Sequence, residues 1–350
     1  MKKLISLFLC LLLVTSLTSS CAKNNLSSPS KVKTIKIGVA LYKFNDTFIS
    51  TILSHFEAAA KEKEKNLGIK IDINAVDGKG NQMVQNEQVD QFLKQNYDVI
   101  CINMVDRTAA AVIIDKAKRA KIPLIFLNRE PVEEDLERWD QLYYVGAIAV
   151  LSGSMQGKIA VDAFNRNSKS VDKNKDNILQ YVMLEGEPGH QDALLRTEYS
   201  VKAVTQAGIE VQKLANDTAN WQRGQACTKM TQWITKFGDK IEVIFSNNDD
   251  MALGAIDAYN ILNIEKEKMP LIIGVDATPP ALNAIHTGTL TGTVLSDAKG
   301  QAQAMLELSY CLAFDKNPKD SIPYLDGKYI RLPHKIITLD NIKQFEKENQ

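Results

Sequence analysis

The sequence is poor in cysteine, with five among 350 residues. Beyond residue 21 only Cys101, Cys227 and Cys311 remain, and they are odd in number and widely spaced. Their apolar or helical neighbours indicate buried thiols, so we expect neither a disulfide framework nor a cysteine-based metal site.

An excess of one charge is also missing, since 42 acidic residues balance 42 basic ones. Nucleic-acid-binding domains are strongly basic, so the composition argues against a nucleic-acid partner. A phosphate-binding loop is missing too, because the glycine-containing stretch 186–189 has neither the Walker spacing nor that of a dinucleotide fingerprint. The ligand should therefore lack phosphate.

The first residues have the pattern of a secretory signal. Lys2 and Lys3 precede an apolar run at 4–14, and small polar residues lead to Cys21. The run is too short to span a bilayer, which takes ~20 residues. We predict a signal peptide at 1–20, a diacylated Cys21 anchoring an exported protein to the membrane, and a flexible tether at 21–33. Ordinary cleavage leaving a free cysteine is the alternative.

The rest of the chain alternates short apolar strands with amphipathic helices. A strand predicted at 35–41, for example, is followed by a helix at 48–66 that ends before Gly68. This alternation predicts an α/β fold with parallel sheets covered on both faces. The length suits two doubly wound lobes, and because no long linker separates them, several segments should cross between the lobes.

Polar residues recur at the carboxyl ends of the predicted strands, where open α/β sheets bind ligands. They are Asn45, Asp46, Asn103, Asp106, His190, Asp192, Asn247, Asn248, Asp249, Asp250, Asp276, Ser296 and Asp297. Each one alone is better explained as a helix cap. Six groups at equivalent positions in both halves instead indicate a shared cleft.

The chemistry of these residues favours a sugar. Carboxylates and amides can each make two hydrogen bonds to neighbouring hydroxyls. Arg196 is close in sequence, and the aromatic faces of Phe48 and Trp221 can cover the C–H faces of a ring. A polyol with apolar faces fits such a site.

A second polar group spans residues 172–180. Oxygen-bearing side chains at its positions 1, 3, 5 and 9 match an EF-hand-like calcium loop; they are Asp172, Asn174, Asp176 and Gln180. Asn177 replaces the usual glycine and tolerates the left-handed conformation. Position 12 is Met183, so a bidentate acid must come from elsewhere. A solvated charged turn is the alternative.

These segments together resemble the periplasmic galactose/glucose-binding proteins of the ribose-type class. The resemblance lies in residues 37–39, 42–48, 102–106, 126–131, 143–146, 184–193 with Arg196, 217–221, 247–249, 274–277 and 292–295. It implies a type I periplasmic binding protein whose two lobes close on D-glucose or D-galactose. Three crossings near 121–123, 295–298 and 331–335 would divide the chain into a first lobe at 34–122 plus 298–332 and a second at 123–297 plus 333–350.

The resemblance also implies roles for individual residues. The sugar would be bound by Asp46, Phe48, Asn103, His190, Asp192, Arg196, Trp221, Asn248, Asp276 and Ser296, with Phe48 and Trp221 stacked on its two faces. Ser296 stands where the family usually has asparagine, so one contact is expected to be lost or water-mediated. A structural Ca²⁺ would be held by Asp172, Asn174, Asp176, Gln180, the carbonyl of Ile178 and the distant Glu242.

We expect a monomeric binding protein rather than an enzyme, with an ABC transporter permease as partner and a chemoreceptor as a further one. A sensor subunit for a membrane kinase and binding of a different monosaccharide remain alternatives. A glycosidase using Asp46, Asp192 and Asp276 would need carboxylates at defined separations. A transcriptional repressor shares the two-lobed core but needs a DNA-reading helix pair where the signal lies.

Overall fold

The computed structural model describes residues 33–322 and 324–349, and the predicted signal peptide, Cys21 and the tether up to residue 32 lie outside them. The described chain forms two sheets. The first contains β1 (Thr34–Leu41), β2 (Lys70–Asp77), β3 (Val99–Ile102), β4 (Leu124–Leu127), β5 (Leu142–Ala147), β11 (Leu325–Asp326) and β12 (Tyr329–Leu332). Their order is β11-β12-β5-β4-β3-β1-β2, and all pairs are parallel except β11 with β12.

The second sheet contains β6 (Ile178–Glu185), β7 (Glu210–Thr218), β8 (Val243–Ser246), β9 (Leu271–Ile273), β10 (Gly292–Ser296) and β13 (His334–Thr338). Its order is β13-β10-β9-β8-β6-β7, with only β13 antiparallel to its neighbour. The sheets define a first and a second lobe, and they confirm the predicted fold of two doubly wound α/β lobes.

Helices cover both faces of each sheet. They are α1 (Thr47–Leu67), α2 (Gln82–Lys94), α3 (Ala110–Ala120), α4 (Glu133–Leu136), α5 (Ala149–Arg166), α6 (Ser168–Val171), α7 (Gln191–Gln206), α8 (Arg223–Phe237), α9 (Asp249–Ile261), α10 (Pro279–His286), α11 (Ala298–Ala313) and α12 (Ile342–Asn349). Val39 belongs to the same buried cluster as Phe56 of α1, whereas its neighbour Ala40 belongs to the cluster that contains Phe92 of α2. Alternate β1 residues therefore enter different cores, which is why the strand is apolar almost throughout. Among the described residues, no helix has the length and hydrophobicity of a membrane span.

The first predicted crossing, near residues 121–123, is wrong. Strand β4 pairs with β3 through Ile100 and Leu124, and β5 pairs with β12, so both belong to the first sheet. The chain enters the second lobe only at Ile148, between β5 and α5. The first lobe therefore includes residues 123–147, which the sequence-based division places in the second lobe. Apolar patterning identifies a buried strand but does not say which sheet it joins.

The other two crossings lie at residue 297, between β10 and α11, and at Pro333, between β12 and β13. Helix α11 returns to the first lobe, where Glu307 pairs with Lys63 of α1 at 2.6 Å. Three segments thus connect the lobes, and each is a single residue or a short turn.

Candidate functional site

A cavity lies between the lobes, at the carboxyl ends of strands from both sheets. It is lined by Tyr42, Asp46, Phe48, Ile49, Asn128, Arg129, His190, Asp192, Arg196, Trp221, Asn248 and Asp276. Eight of the ten residues predicted to bind sugar are among them. The first lobe contributes Asp46 and Phe48, and the second contributes the other six.

Asn103 and Ser296 are not among the lining residues. The Asn103 side chain is fully buried and donates to the Leu127 carbonyl at 3.0 Å and to Asn128 Oδ1 at 3.3 Å. Asn128 does line the cavity. Ser296 lines a neighbouring pocket that shares Phe48 and Asp276 with the cavity.

Sequence reasoning missed four lining residues: Tyr42, Ile49, Asn128 and Arg129. Tyr42 directly follows β1, and Asn128 and Arg129 directly follow β4. Applying the strand-end rule to every strand would have found these three. Ile49 lies in the first turn of α1 and carries no polar signal.

Several candidate residues are helix caps as well as cavity residues. Asp46 caps α1 by accepting from the Ile49 amide at 2.9 Å, and its other oxygen accepts from the Tyr42 hydroxyl. Asn248 caps α9 by accepting from the Met251 amide at 3.0 Å. Capping fixes each side chain at the end of its strand, so the same residue can serve both as a helix cap and as part of a binding cleft.

His190 caps α7 through Nδ1, which accepts from the Asp192 amide at 3.1 Å. This bond leaves Nε2 as the protonated nitrogen of a neutral ring. Burial, followed by the positive charges of Arg129 and Arg196, holds the pKa of His190 well below its usual value. The ring is therefore neutral at physiological pH and can donate one hydrogen bond to a ligand hydroxyl.

Arg196 is held in place by three groups. Its Nη2 donates to Asp192 at 2.8 Å, Nη1 to the Asn247 carbonyl at 2.9 Å and Nε to the Ser152 hydroxyl at 3.1 Å. The Asp192 carboxylate neutralises the guanidinium, so Arg196 offers little free charge for an anionic ligand.

Asp276 supplies a buried carboxyl, only 6% exposed, with backbone φ of 125°. Burial raises its pKa well above the ordinary value; the Arg196 charge opposes this shift, and the Asp249 carboxyl adds to it. A non-glycine residue at positive φ is strained, and such strain concentrates at binding sites. The arrangement favours a ligand whose hydroxyl groups donate hydrogen bonds to this carboxyl.

Phe48 and Trp221, the two aromatic side chains predicted to stack on the sugar, come from opposite lobes, and each is 8% exposed. Trp221 packs on Gly186, where a Cβ would lie 2.1 Å from the indole, and its ring meets that of His190 edge to face at 5.0 Å. Trp221 itself has φ of 64°. A side chain at position 186 would displace the indole, so the glycine sets the position of Trp221.

The predicted calcium ligands converge in the structure. The Asn174 amide donates to Asp176 at 2.9 Å and to Gln180 at 3.3 Å, and the Gln180 amide donates to Asp176 at 2.8 Å. Asn177 has φ of 61°, the left-handed conformation expected at the turn. The backbone at this turn position therefore has the conformation that the sequence pattern requires there, and calcium binding by the loop stays a prediction.

Glu242 joins this loop from the start of β8. Its two oxygens accept from the backbone amides of Lys173 at 2.7 Å and Gln180 at 2.9 Å. Across residues 33–322 and 324–349, no three His, Cys, Asp or Glu side chains are grouped as a metal site. The predicted ligand set contains three acids, Asp172, Asp176 and Glu242, which do not form such a group in this structure, together with two amides and a carbonyl. All its donors are oxygens, which suits a hard cation.

Three comparisons relate the chain to known proteins. A family model described as a periplasmic binding protein domain matches residues 37–317. The chain is 38% identical over 314 residues to the D-galactose/methyl-galactoside binding periplasmic protein of Haemophilus influenzae, covering 89% of this chain and 92% of that protein. It is 28% identical over 309 residues to a xylitol-binding protein of Mycolicibacterium smegmatis, covering 88% and 80%.

Among solved structures, an ABC transporter solute binding protein from Bacillus halodurans with bound myo-inositol superposes with a TM-score of 0.72. Its sequence is 26% identical, and the alignment covers 91% of this chain and 99% of that one.

Proposed function

This chain belongs to the periplasmic binding protein domain family, and from that premise we propose that it binds one monosaccharide, D-galactose or D-glucose, between its lobes and delivers it to an ABC transporter. The observation that carries the proposal is the pairing of Phe48 and Trp221, from opposite lobes, in one cavity with carboxyl and amide groups. Aromatic faces suit the apolar faces of a pyranose, and carboxylates and amides suit its hydroxyl rim.

The charges of the cavity support a neutral ligand. Arg196 is paired with Asp192 and Arg129 with Glu187, so the charge of each guanidinium is already balanced by a carboxylate of the protein. The similar proteins carry names or bound molecules that are all polyhydroxylated: D-galactose, xylitol and myo-inositol. The choice of D-galactose or D-glucose rests on the relative that is 38% identical.

Binding by both lobes would couple recognition to closure. A ligand touching both Phe48 and Trp221 is bound best when the lobes are shut, so it shifts the population toward the closed form. We propose that this form is presented to a permease and that Cys21 anchors the exported protein by its lipid. A sensor role toward a chemoreceptor or membrane kinase would use the same closure. We propose that the protein binds the sugar without catalysing a reaction. The formation of product from aryl glycosides would contradict this proposal.

A thermal-shift screen tests the binding proposal. Ligand present at 100 times its Kd stabilises a folded protein by about 2.7 kcal/mol, which for a chain of this size raises the melting temperature by about 5 °C. We expect D-galactose or D-glucose to produce that rise and mannitol to produce none. A rise with myo-inositol or a pentose alone would identify a different ligand, and no rise with any monosaccharide would contradict the proposal.

We further propose that Ca²⁺ stabilises the second lobe at the 172–180 loop, with Glu242 as the distant acid. We expect EDTA to lower the melting temperature by several degrees and added Ca²⁺ to restore it, because the ion binds only the folded loop. Asp176→Asn should abolish the calcium effect. Asp162→Asn, a change at an exposed carboxylate paired with Lys158, should retain it. Equal melting temperatures in EDTA and Ca²⁺ would show that the loop is a solvated turn.

Ser296 provides a test of sugar preference. Because it lies in the adjoining pocket beside Asp276, we expect Ser296→Asn to bring an amide toward the sugar rim. One added hydrogen bond contributes about 0.5–1.5 kcal/mol, so calorimetry should show about three- to tenfold tighter binding. Ser296→Ala is the matched control and should change affinity little. A large loss in Ser296→Ala would mean that the hydroxyl itself contacts the sugar.

A further inference from the structure

Glu187 joins the two lobes without lining the cavity. It follows β6 of the second lobe, and both of its partners belong to the first lobe. Its Oε1 accepts from Lys43 Nζ at 2.8 Å, and its Oε2 accepts from Arg129 Nη2 at 2.5 Å. One carboxylate thus binds two cations across the cleft.

Burial makes these contacts stronger than a surface ion pair. The Arg129 side chain is 6% exposed, Glu187 18% and Lys43 25%. Burial by itself would raise the pKa of Glu187. The positive charges and hydrogen bonds of Arg129 and Lys43 outweigh this effect, so the pKa of Glu187 lies below its ordinary value. The carboxylate is therefore charged at neutral pH and bound mainly by Arg129, the more buried partner.

The contact also reaches the cavity. The Arg129 guanidinium lies 3.7 Å from the centre of the Tyr42 ring, and the Tyr42 hydroxyl donates to Asp46 Oδ2. Asp46 faces the cavity. Glu187 therefore fixes Arg129, Arg129 covers Tyr42, and Tyr42 orients the Asp46 carboxylate.

We propose that Glu187 is a positioning residue that latches the closed cleft and orients Asp46 without touching the ligand. This inference rests on the proposed sugar binding. Two further hydrogen bonds join the lobes, and neither of them pairs two charged groups: the Thr47 hydroxyl donates to Asp250 at 2.6 Å, and Arg107 donates to Gln191 at 3.1 Å. Because the latch forms only when the lobes meet, it should stabilise the sugar-bound state and leave the stability of the open, sugar-free protein unchanged.

Glu187→Gln and Glu187→Ala test the latch, with Glu185→Gln as the matched control. Glu185 lies two residues away but accepts from Asn216 within its own lobe, at 2.7 Å. We expect Glu187→Gln to raise Kd about tenfold and Glu187→Ala to raise it further, mainly through faster dissociation. Stopped-flow tryptophan fluorescence gives the rates. The sugar-free melting temperature should be unchanged, and Glu185→Gln should match the parent protein.

Lys43→Met gives a second, graded test, because Lys43 is the more exposed partner. We expect it to weaken binding less than Glu187→Gln does, and the double variant to lose less than the sum of the two, since both remove one interaction. Affinity losses that add fully in the double variant would overturn the latch. So would sugar that dissociates from Glu187→Gln as slowly as from Glu185→Gln. A loss of affinity in Glu187→Gln together with a lower melting temperature of the sugar-free variant would also overturn it. A parent protein that binds no sugar would contradict the proposed function instead.

Discussion

Replacing Trp221 with alanine should weaken monosaccharide binding about 30- to 100-fold. The indole lines the cavity opposite Phe48, and truncating it would remove a large apolar surface from the proposed contact with the sugar ring. A buried aromatic contact of this kind contributes about 2–3 kcal/mol, and each 1.4 kcal/mol is tenfold in Kd. Isothermal titration calorimetry with D-galactose and D-glucose measures the change.

Trp233→Phe is the matched control for this variant. Trp233 packs partly buried against the core of the same lobe, outside the cavity. Its replacement should leave affinity unchanged and retain the fluorescence response to sugar, whereas Trp221→Ala should lose that response. Equal affinities of Trp221→Ala and the parent protein would remove Trp221 from the site.

Replacing Asp276 should produce the second large effect. Removing one partner of a buried hydrogen bond costs about 1–3 kcal/mol, so Asp276→Ala should weaken binding by up to about a hundredfold and Asp276→Asn by about tenfold. Asp257→Asn is the control, because Asp257 is paired with Arg223 on the outer surface of the same lobe. Unchanged affinity in Asp276→Ala would show that the carboxyl does not contact the ligand.

The Asp276→Asn variant, although it should bind sugar more weakly, should be more stable than the parent protein. A carboxyl whose pKa is higher in the folded than in the unfolded chain destabilises the fold above its ordinary pKa, and this penalty disappears as the pH falls below that value. Because burial raises the pKa of Asp276, Asp276→Asn should melt at a higher temperature than the parent at about pH 8 and at the same temperature below about pH 4. Lower affinity together with higher stability would mark Asp276 as a residue retained for binding.

Much of the site was predictable because strand ends fix where capping residues lie. Asp46, His190 and Asn248 cap helices and also line the cavity, so a local rule located them. Trp221 and Phe48 are different, since nothing local shows that side chains from two lobes face each other. Their pairing came from the resemblance, and the lobe geometry is consistent with it.

What the sequence could not provide depends on contacts between distant segments. The pairing of β4 with β3 decides which lobe contains residues 123–147, yet the apolar pattern of β4 would suit either sheet. Strand β7 carries little apolar signal because, as the edge strand of its sheet, it is polar and largely exposed. The bond between Arg129 and Glu187 joins residues 58 positions apart in different lobes, so no periodicity reports it.

Calorimetric titration of the purified protein with D-galactose and D-glucose tests the central claim most directly. The account predicts saturable heat with one sugar bound per chain, and loss of that heat in the Trp221→Ala and Asp276→Ala variants at the same concentrations. An absence of heat with both sugars, from protein that melts cooperatively, would contradict it.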